Sequence, residues 1–201
     1  MTVLPAPRGG RQQVFPAHIR RPAGPDVGSK RRPLDAGFLA EPKERVLAIA
    51  ATPQALTAWS GSAPDIRRVL DDTGIQHVAE VSQDIGRDAA EDARRLSTAL
   101  GETPSGVAAY VAYADGEPAA CARIHFHPAA RLAWLCGGRT KVAHRRRGFD
   151  VALVRHRIAL AIERGCVALI VDALPTSEPI LMRRGFRAVS EKQAFLLATH
   201  A

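Results

Sequence analysis

Long apolar runs, a secretory signal and a cysteine framework are all missing from this sequence of 201 residues. Its longest apolar runs, such as residues 167–171, are far too short for a membrane-spanning helix, which takes about 20 residues. No apolar core followed by a small-residue cleavage site occurs near the start, so no secretory signal is predicted. The three cysteines, Cys121, Cys136 and Cys166, form neither a metal-ligand spacing nor a disulfide framework. We therefore expect a protein of a reducing, cytoplasmic compartment, with no membrane partner and no metal.

Acidic residues are scarce relative to basic ones. The chain holds 28 Lys and Arg against 20 Asp and Glu, which gives a net charge of +8 and a pI near 10.2. The charge is concentrated in residues 1–32 and 139–147. Nucleic acid, nucleotide-like cofactors and membrane surfaces are all anionic, so charge alone does not choose among them.

Residues 1–32 lack the periodicity of a helix or strand. They contain five prolines, four glycines and seven Lys or Arg, against the single acid Asp26. This composition predicts a disordered basic arm. The alternative is a nucleic-acid-binding tail, but Phe15 is its sole aromatic residue, so nucleic acid is not the expected partner. Residues 33–63 are expected to be an N-terminal extension or linker, with a helix ending at Gly37 and a short strand over residues 45–50.

From residue 64 to residue 201 the patterns predict one mixed α/β (α+β) domain. Ile75, Val78, Val81 and Ile85 share one helical face, and two apolar-rich runs joined by Asp115-Gly116 predict a hairpin. The predicted order is strand, two helices, three antiparallel strands, long helix, strand, short helix and strand. The predicted segments are residues 65–70, 73–86, 88–101, 105–114, 117–127, 131–140, 149–164, 167–173, 177–184 and 193–199.

The stretch "HRRRGFDVAL" places three arginines and a glycine directly before the long helix. Positive charge at a helix N-terminus is unfavourable by roughly 0.3–1 kcal/mol for each residue, because the macrodipole is already positive there. The placement is explained if an anion binds to the free backbone N–H groups and the arginines balance its charge. The alternative is a solvated basic patch. Asp150, an anion inside the predicted anion site, complicates both interpretations.

The segment "GGRTKVAHRRRGFDVALVRHRIALAIERG", followed by "VDALPTSEPILMRRGF", resembles the GNAT superfamily of N-acetyltransferases. The resemblance covers roughly residues 65–199. In that superfamily the signature R/Q-x-x-G-x-G/A follows the fourth strand and wraps the pyrophosphate of acetyl-CoA. The resemblance implies a GNAT-like acyltransferase fold, with a mostly antiparallel central sheet and a cofactor-binding helix after strand four. The signature positions here are Arg145, Arg146, Arg147, Gly148, Phe149 and Asp150.

The resemblance also implies further contacts and shows three departures. Main-chain groups of Arg139 and Thr140 are expected to bind the pantetheine arm between splayed strands, ordinary strand pairing being the alternative. Asp150 replaces the small residue of the signature. Leu181 stands where many members have a tyrosine that protonates the leaving thiolate. The strand over residues 131–140 lacks the glutamate that often acts as the base.

Candidate catalytic groups are few. An imidazole suits proton removal near neutral pH, and His125 and His127 share one face with Arg123 by the period of a strand. The alternative is a solvated sheet face. Ser177 is the candidate proton donor for the thiolate, with water, or no general acid at all, as alternatives; Ser177 is also expected to cap the short helix.

Two further residues are candidates for the cleft, and Cys136 is the one expected near the thioester. Asp172 lies at the end of a predicted buried strand, where it either holds a cationic substrate or caps the next turn. Cys136 lies on the strand before the arginines, where a small hydrophobic role is the alternative to a chemical one.

The resemblance therefore predicts an acetyl-CoA-dependent N-acetyltransferase acting on a primary amine, with acetyl-CoA as co-substrate. The alternative is a degenerate GNAT-fold domain that binds or senses acyl-CoA without turnover, and the three departures motivate it. The sequence does not identify the acceptor. Exposed edge strands are compatible with a homodimer.

Overall fold

The computed structural model describes residues 35–41, 43–61, 63–102 and 106–197, and the predicted basic arm lies outside these ranges. The chain divides into two compact units. The larger unit spans Arg45–Ser190, and the smaller unit contains the described residues up to Glu44 and from Glu191. No helix in the described part of the chain is long and apolar enough to cross a membrane.

The larger unit is built on a seven-stranded sheet with the order β3-β4-β5-β6-β7-β2-β8. The pairs β3–β4, β4–β5, β5–β6 and β2–β7 are antiparallel, and β6 and β7 are parallel. This confirms the predicted mixed fold with a mostly antiparallel sheet. The strands are β2 (Glu44–Ala50), β3 (Asp65–Arg68), β4 (Val107–Ala114), β5 (Glu117–His127), β6 (Leu132–Thr140), β7 (Ala168–Ala173) and β8 (Arg187–Lys192).

Five helices accompany this sheet among the described residues. They are α1 (Pro53–Ala58), α2 (Asp72–Asp84), α3 (Ala89–Glu102), α4 (Phe149–Glu163) and α5 (Glu178–Arg183). The side chain of Asp71 caps α2 by accepting a hydrogen bond from the Gly74 N–H at 2.8 Å. Asp115 and Gly116, with φ of 52° and 86°, form the predicted tight turn between β4 and β5.

Apolar side chains pack on both faces of the sheet. One face carries α4, with Leu153 and Ile158 against Leu169 of β7. The other face carries α2 and α3, with Val81 and Leu96 in a second cluster. Successive side chains of a strand point to opposite faces of the sheet, so the position of a residue along its strand decides which helical layer it packs against.

The smaller unit contains a two-stranded antiparallel ribbon of β1 (Phe38–Ala40) and β9 (Phe195–Leu197). The Gln193 side chain donates to the Glu41 carbonyl oxygen at 3.0 Å. The strand predicted over residues 193–199 is confirmed in part as β9, which pairs with β1 outside the seven-stranded sheet.

The region before residue 64 differs from the sequence expectation of an extension or linker. The predicted strand over residues 45–50 exists as β2, but it lies inside the sheet, between β7 and β8. Leu47 and Ile49 are buried in the main core, so β2 belongs to the same sheet as the strands after residue 64. The predicted helix before Gly37 lies largely outside the described residues.

Candidate active site

A gap opens in the sheet where β6 and β7 separate. Their parallel register runs from Leu132 opposite Ala168 to Leu135 opposite Val171. β6 then continues to Thr140, and the described pairing with β7 does not extend along this part. The gap thus lies at the carboxyl ends of two parallel strands, where open α/β sheets commonly bind their ligands.

A β-bulge borders this gap. Cys121 pairs with Arg139 and Arg123 pairs with Cys136, so two glycines of β6, Gly137 and Gly138, stand opposite one residue of β5. Gly137 has a φ of +59°, and a Cβ added there would lie 2.8 Å from the Arg123 Nε atom. The bulge therefore requires glycine at this position.

A buried guanidinium group supports the bulge from the α4 side. Arg157 is 4% exposed. Its Nε donates to the Leu153 carbonyl oxygen at 3.0 Å, and its Nη1 donates to the carbonyl oxygens of Arg123 at 3.0 Å and Cys136 at 3.5 Å. None of the ion pairs among the described residues involves Arg157. Burial lowers the pKa of Arg157 to about 10, which still leaves it cationic at neutral pH.

Sequence reasoning missed Arg157, although a signal exists. In α4 the buried residues Leu153, Val154, Ile158 and Ala161 surround its position at helical spacing. An arginine inside an apolar stripe is unusual, because a buried charge requires polar partners.

The arginine loop (residues 141–148) connects β6 to α4. Its first residues are anchored, since the Lys141 N–H donates to the Ala119 carbonyl oxygen at 2.9 Å and the Val142 N–H donates to Asp84 Oδ2 at 2.8 Å. Arg146 and Gly148 have left-handed backbone conformations, with φ of 62° and 86°. Left-handed residues in such a turn direct successive N–H groups toward a concave surface that suits an anion.

The N-terminus of α4 directly follows this loop. Gly148 is its N-cap residue, and no side chain caps the helix. The three predicted arginines, Arg145, Arg146 and Arg147, are exposed, and Arg147 Nη1 lies 2.9 Å from His144 Nδ1. The helix therefore presents uncapped N–H groups beside several cations, an arrangement that suits phosphate.

Two residues of the predicted signature lie on opposite sides of this helix start. Phe149 is buried, so only its main chain remains for the predicted cofactor contact. Asp150 is exposed in the first turn, where an acid interacts favourably with the helix dipole.

The side chain of Arg139 is held away from the gap. It is 7% exposed and forms an ion pair with Asp92 of α3, with Nη2 3.1 Å from Oδ1, and its Nη1 donates to the Ser82 hydroxyl of α2. Thr140 lies opposite Ala120 of β5. Main-chain contacts of Arg139 and Thr140 with a pantetheine arm therefore remain a prediction, with the Arg139 side chain fixed elsewhere.

Of the three candidate catalytic residues, His125 and His127 lie on β5 and Ser177 lies outside the sheet. His125 is half-buried beside Trp134, with ring centroids 6.0 Å apart, and burial, reinforced by the charge of Arg123, lowers its pKa. His127 is exposed opposite Leu132, at the end of β6 far from the gap.

Ser177 lies near the carboxyl end of β7, as the N-cap residue of α5. The prediction that the Ser177 side chain caps α5 is wrong, because the Ser177 hydroxyl donates instead to the Leu174 carbonyl oxygen at 3.1 Å. Leu181 is buried in the main core and brings no hydroxyl group to the site.

A parallel strand pair whose pairing ends beside an uncapped, arginine-rich helix N-terminus is an arrangement that suits an anionic ligand. The sequence matches the family described as Acetyltransferase (GNAT) family over residues 75–186, so the chain belongs to the GNAT family of acetyltransferases. Among curated proteins, none matches this sequence.

Solved structures share the fold at low sequence identity. A GCN5-related N-acetyltransferase from Kribbella flavida is 18% identical, with a TM-score of 0.62, over 85% of this chain and 63% of that chain. A predicted acetyltransferase with acetyl-CoA from Clostridium acetobutylicum is 16% identical, with a TM-score of 0.52, over 63% of this chain and 91% of that one. An aminoglycoside N-acetyltransferase in complex with CoA is 18% identical, with a TM-score of 0.54, over 65% and 92% of the two chains. At these identities the likeness shows the fold.

Proposed function

We propose that this protein transfers the acetyl group of acetyl-CoA to a primary amine. The observation that carries the proposal is the separation of β6 and β7 immediately before the uncapped N-terminus of α4. The structures of similar proteins with acetyl-CoA and with CoA support the choice of co-substrate. The family itself supports acyl transfer.

The residues of this chain fit such a co-substrate. The exposed arginines and free N–H groups at the start of α4 suit a pyrophosphate. The bulge at Gly137 and Gly138 brings main-chain groups to the border of the gap, where they can act on an acyl carbonyl. When bound, acetyl-CoA supplies a reactive thioester.

Among the candidate bases, His125 is favoured by its half-buried position and by its place two residues from Arg123 at the bulge. Its lowered pKa keeps the imidazole neutral and able to accept a proton at neutral pH. His127 and Ser177 remain candidates for proton transfer; Ser177 follows the carboxyl end of β7, whereas His127 pairs with Leu132 at the start of β6.

The first test is thermal unfolding with CoA, with acetyl-CoA and without ligand. A ligand at about 100 times its dissociation constant stabilises by roughly 2.7 kcal/mol, so a clear rise in Tm is expected. Arg147→Ala should reduce the rise, while Arg155→Ala, an exposed arginine of the same helix, should not. An unchanged Tm with both ligands would overturn the proposed function. Where binding is found, release of CoA is followed with a panel of primary amines.

A further inference from the structure

The side of the sheet opposite α4 is incompletely covered in the larger unit. Buried residues of β5, β6 and β7, namely Ile124, Leu135 and Leu169, belong to the core on the α4 side. By alternation, their neighbours face the other side. These neighbours are half-buried, and they are Arg123, His125, Trp134, Cys136, Ile170 and Asp172.

On this side of the sheet the described helices are α2 and α3, which contact β6 through the side chain of Arg139. Residues of α2 and α3 pack in the cluster with Val111 of β4 and Cys121 of β5, toward the β3 edge. Ala55 of α1 and Leu181 of α5 belong to the core on the α4 side. Among the described residues of the larger unit, no helix contributes to a core cluster over β6 and β7 on the face opposite α4. The half-buried side chains of this face are partly exposed, so a small molecule can reach them.

Three residues on this face stand at one level across neighbouring strands. Arg123 lies opposite Cys136, and Cys136 and Asp172 directly follow the last paired residues, Leu135 and Val171. We name Arg123, Cys136 and Asp172 the cleft row. It crosses the mouth of the gap beside the bulge, so its ends are separated by roughly two strand spacings, or about 10 Å.

The charges of the cleft row are close to one another. The pKa of the Cys136 thiol is raised by burial, with Arg123 lowering it and Asp172 raising it. Arg123 forms none of the ion pairs found among the described residues. Its guanidinium group lies directly over Gly137, so a cation stands at the border of the gap. A guanidinium group binds a carboxylate well, because its donors form a fork that matches two oxygens.

We propose that the cleft row binds the acceptor and that the acceptor is a small zwitterionic amine of the amino-acid class, an inference that rests on the proposed function. Arg123 binds the carboxylate of the acceptor, and Asp172 faces its ammonium group. Trp134 and His125 border the remaining part of the molecule. A polycationic amine fits less well, because its charges would meet Arg123.

The reaction balances with these groups. The ammonium group loses one proton to give the free amine, and the nitrogen loses a second proton as it bonds to the acetyl carbon. The carbon–sulfur bond breaks with its electron pair on sulfur. One of the two protons ends on the thiol of CoA and the other in solvent.

The test compares acceptors that differ only in their carboxylate. CoA release from acetyl-CoA is measured with a set of L-amino acids, with the amides of the same amino acids, and with spermidine. For the preferred amino acid we expect kcat/KM to exceed that of its amide by tenfold or more. Arg123→Gln should remove this preference mainly by raising KM, Arg123→Lys should restore part of it, and Arg155→Gln should leave it unchanged. The dissociation constant of acetyl-CoA should change less than twofold in Arg123→Gln.

The outcomes separate the two proposals. Turnover with equal rates for acid and amide, or a preference for spermidine, overturns the cleft row as an amino-acid site and leaves the acetyltransferase standing. Without any turnover, the Tm of the CoA complex is measured with the same amino acids. If amino acids raise the Tm of the wild-type CoA complex and Arg123→Gln abolishes this rise, the cleft row stands as an amino-acid site. The absence of turnover with these bound amino acids then overturns the transferase. No rise overturns the cleft row as an amino-acid site, and the transferase is then decided by CoA binding and the wider panel of primary amines.

Discussion

At the scale of single residues, Arg157 is the group on which the geometry beside the gap depends most. Its guanidinium group satisfies carbonyl oxygens of β5 and β6 on both sides of the bulge. These acceptors are partly buried, so a side chain without donors at this position would remove hydrogen bonds that water can replace only in part.

We expect Arg157→Met to lower the free energy of unfolding by about 1–3 kcal/mol, the usual cost of leaving buried polar groups without partners. Arg155→Met is the matched control, because Arg155 is exposed on the same helix and should change stability by less than about 0.5 kcal/mol. Urea denaturation of both variants measures the difference. Equal stability of the two variants would show that Arg157 does not support the bulge.

At the scale of elements, β6 combines a bulge, a parallel pairing that ends early and a direct connection to the arginine loop. Gly137→Ala should lower the free energy of unfolding by about 1–2 kcal/mol, because alanine is strained at a positive φ and its Cβ would displace Arg123. Gly101→Ala, in α3 with open space around it, should instead stabilise by up to about 1 kcal/mol. Thermal unfolding distinguishes the two signs, and a stabilised Gly137→Ala would contradict the bulge geometry.

The sequence predicts elements well where their signals are local. The Asp115-Gly116 turn and the buried spacing of Ile75, Val78 and Val81 in α2 depend on neighbouring residues, and both are confirmed. β8 escaped prediction because every residue of "RAVSEK" is exposed, so no apolar alternation marks it. The short helix α1 was not predicted either, because it buries one residue, Ala55, and so shows no apolar periodicity.

In the candidate site, too, the features formed by consecutive residues could be predicted and those formed by residues distant in sequence could not. The arginine loop is visible in the sequence because its residues are consecutive. The cleft row joins residues from three strands, and its alignment depends on registers that the sequence does not state. The place of β2 beside β7 is hidden for the same reason.

At the scale of the whole molecule, half-buried histidines make stability depend on pH. Burial is the main cause that lowers the pKa of His125 and of His156, so the unfolded chain binds these protons more strongly than the folded chain. Their contribution to stability is therefore fully present above the unfolded pKa of about 6.5 and is lost as the pH falls toward the lower folded values.

We expect the urea midpoint to stay level from pH 8 to 7 and to fall as the pH drops below the unfolded pKa of about 6.5. His156→Gln should flatten part of this slope, since His156 packs against Tyr110 with ring centroids 4.4 Å apart. A midpoint that rises on acidification would contradict the lowered pKa values.

The anchoring of the arginine loop to α2 also constrains when, during synthesis, the protein becomes able to bind its ligand. Lys141 pairs with Glu80 and the Val142 N–H binds Asp84, contacts that span 61 and 58 residues of chain. Contacts between residues so far apart in sequence form late in folding, because the chain loses conformational entropy before the contacts contribute favourable energy. In a nascent chain that contains α2 but ends before residue 141, the carboxylates of Glu80 and Asp84 lack these two partners. Anchoring of the arginine loop therefore requires a chain that extends beyond β6.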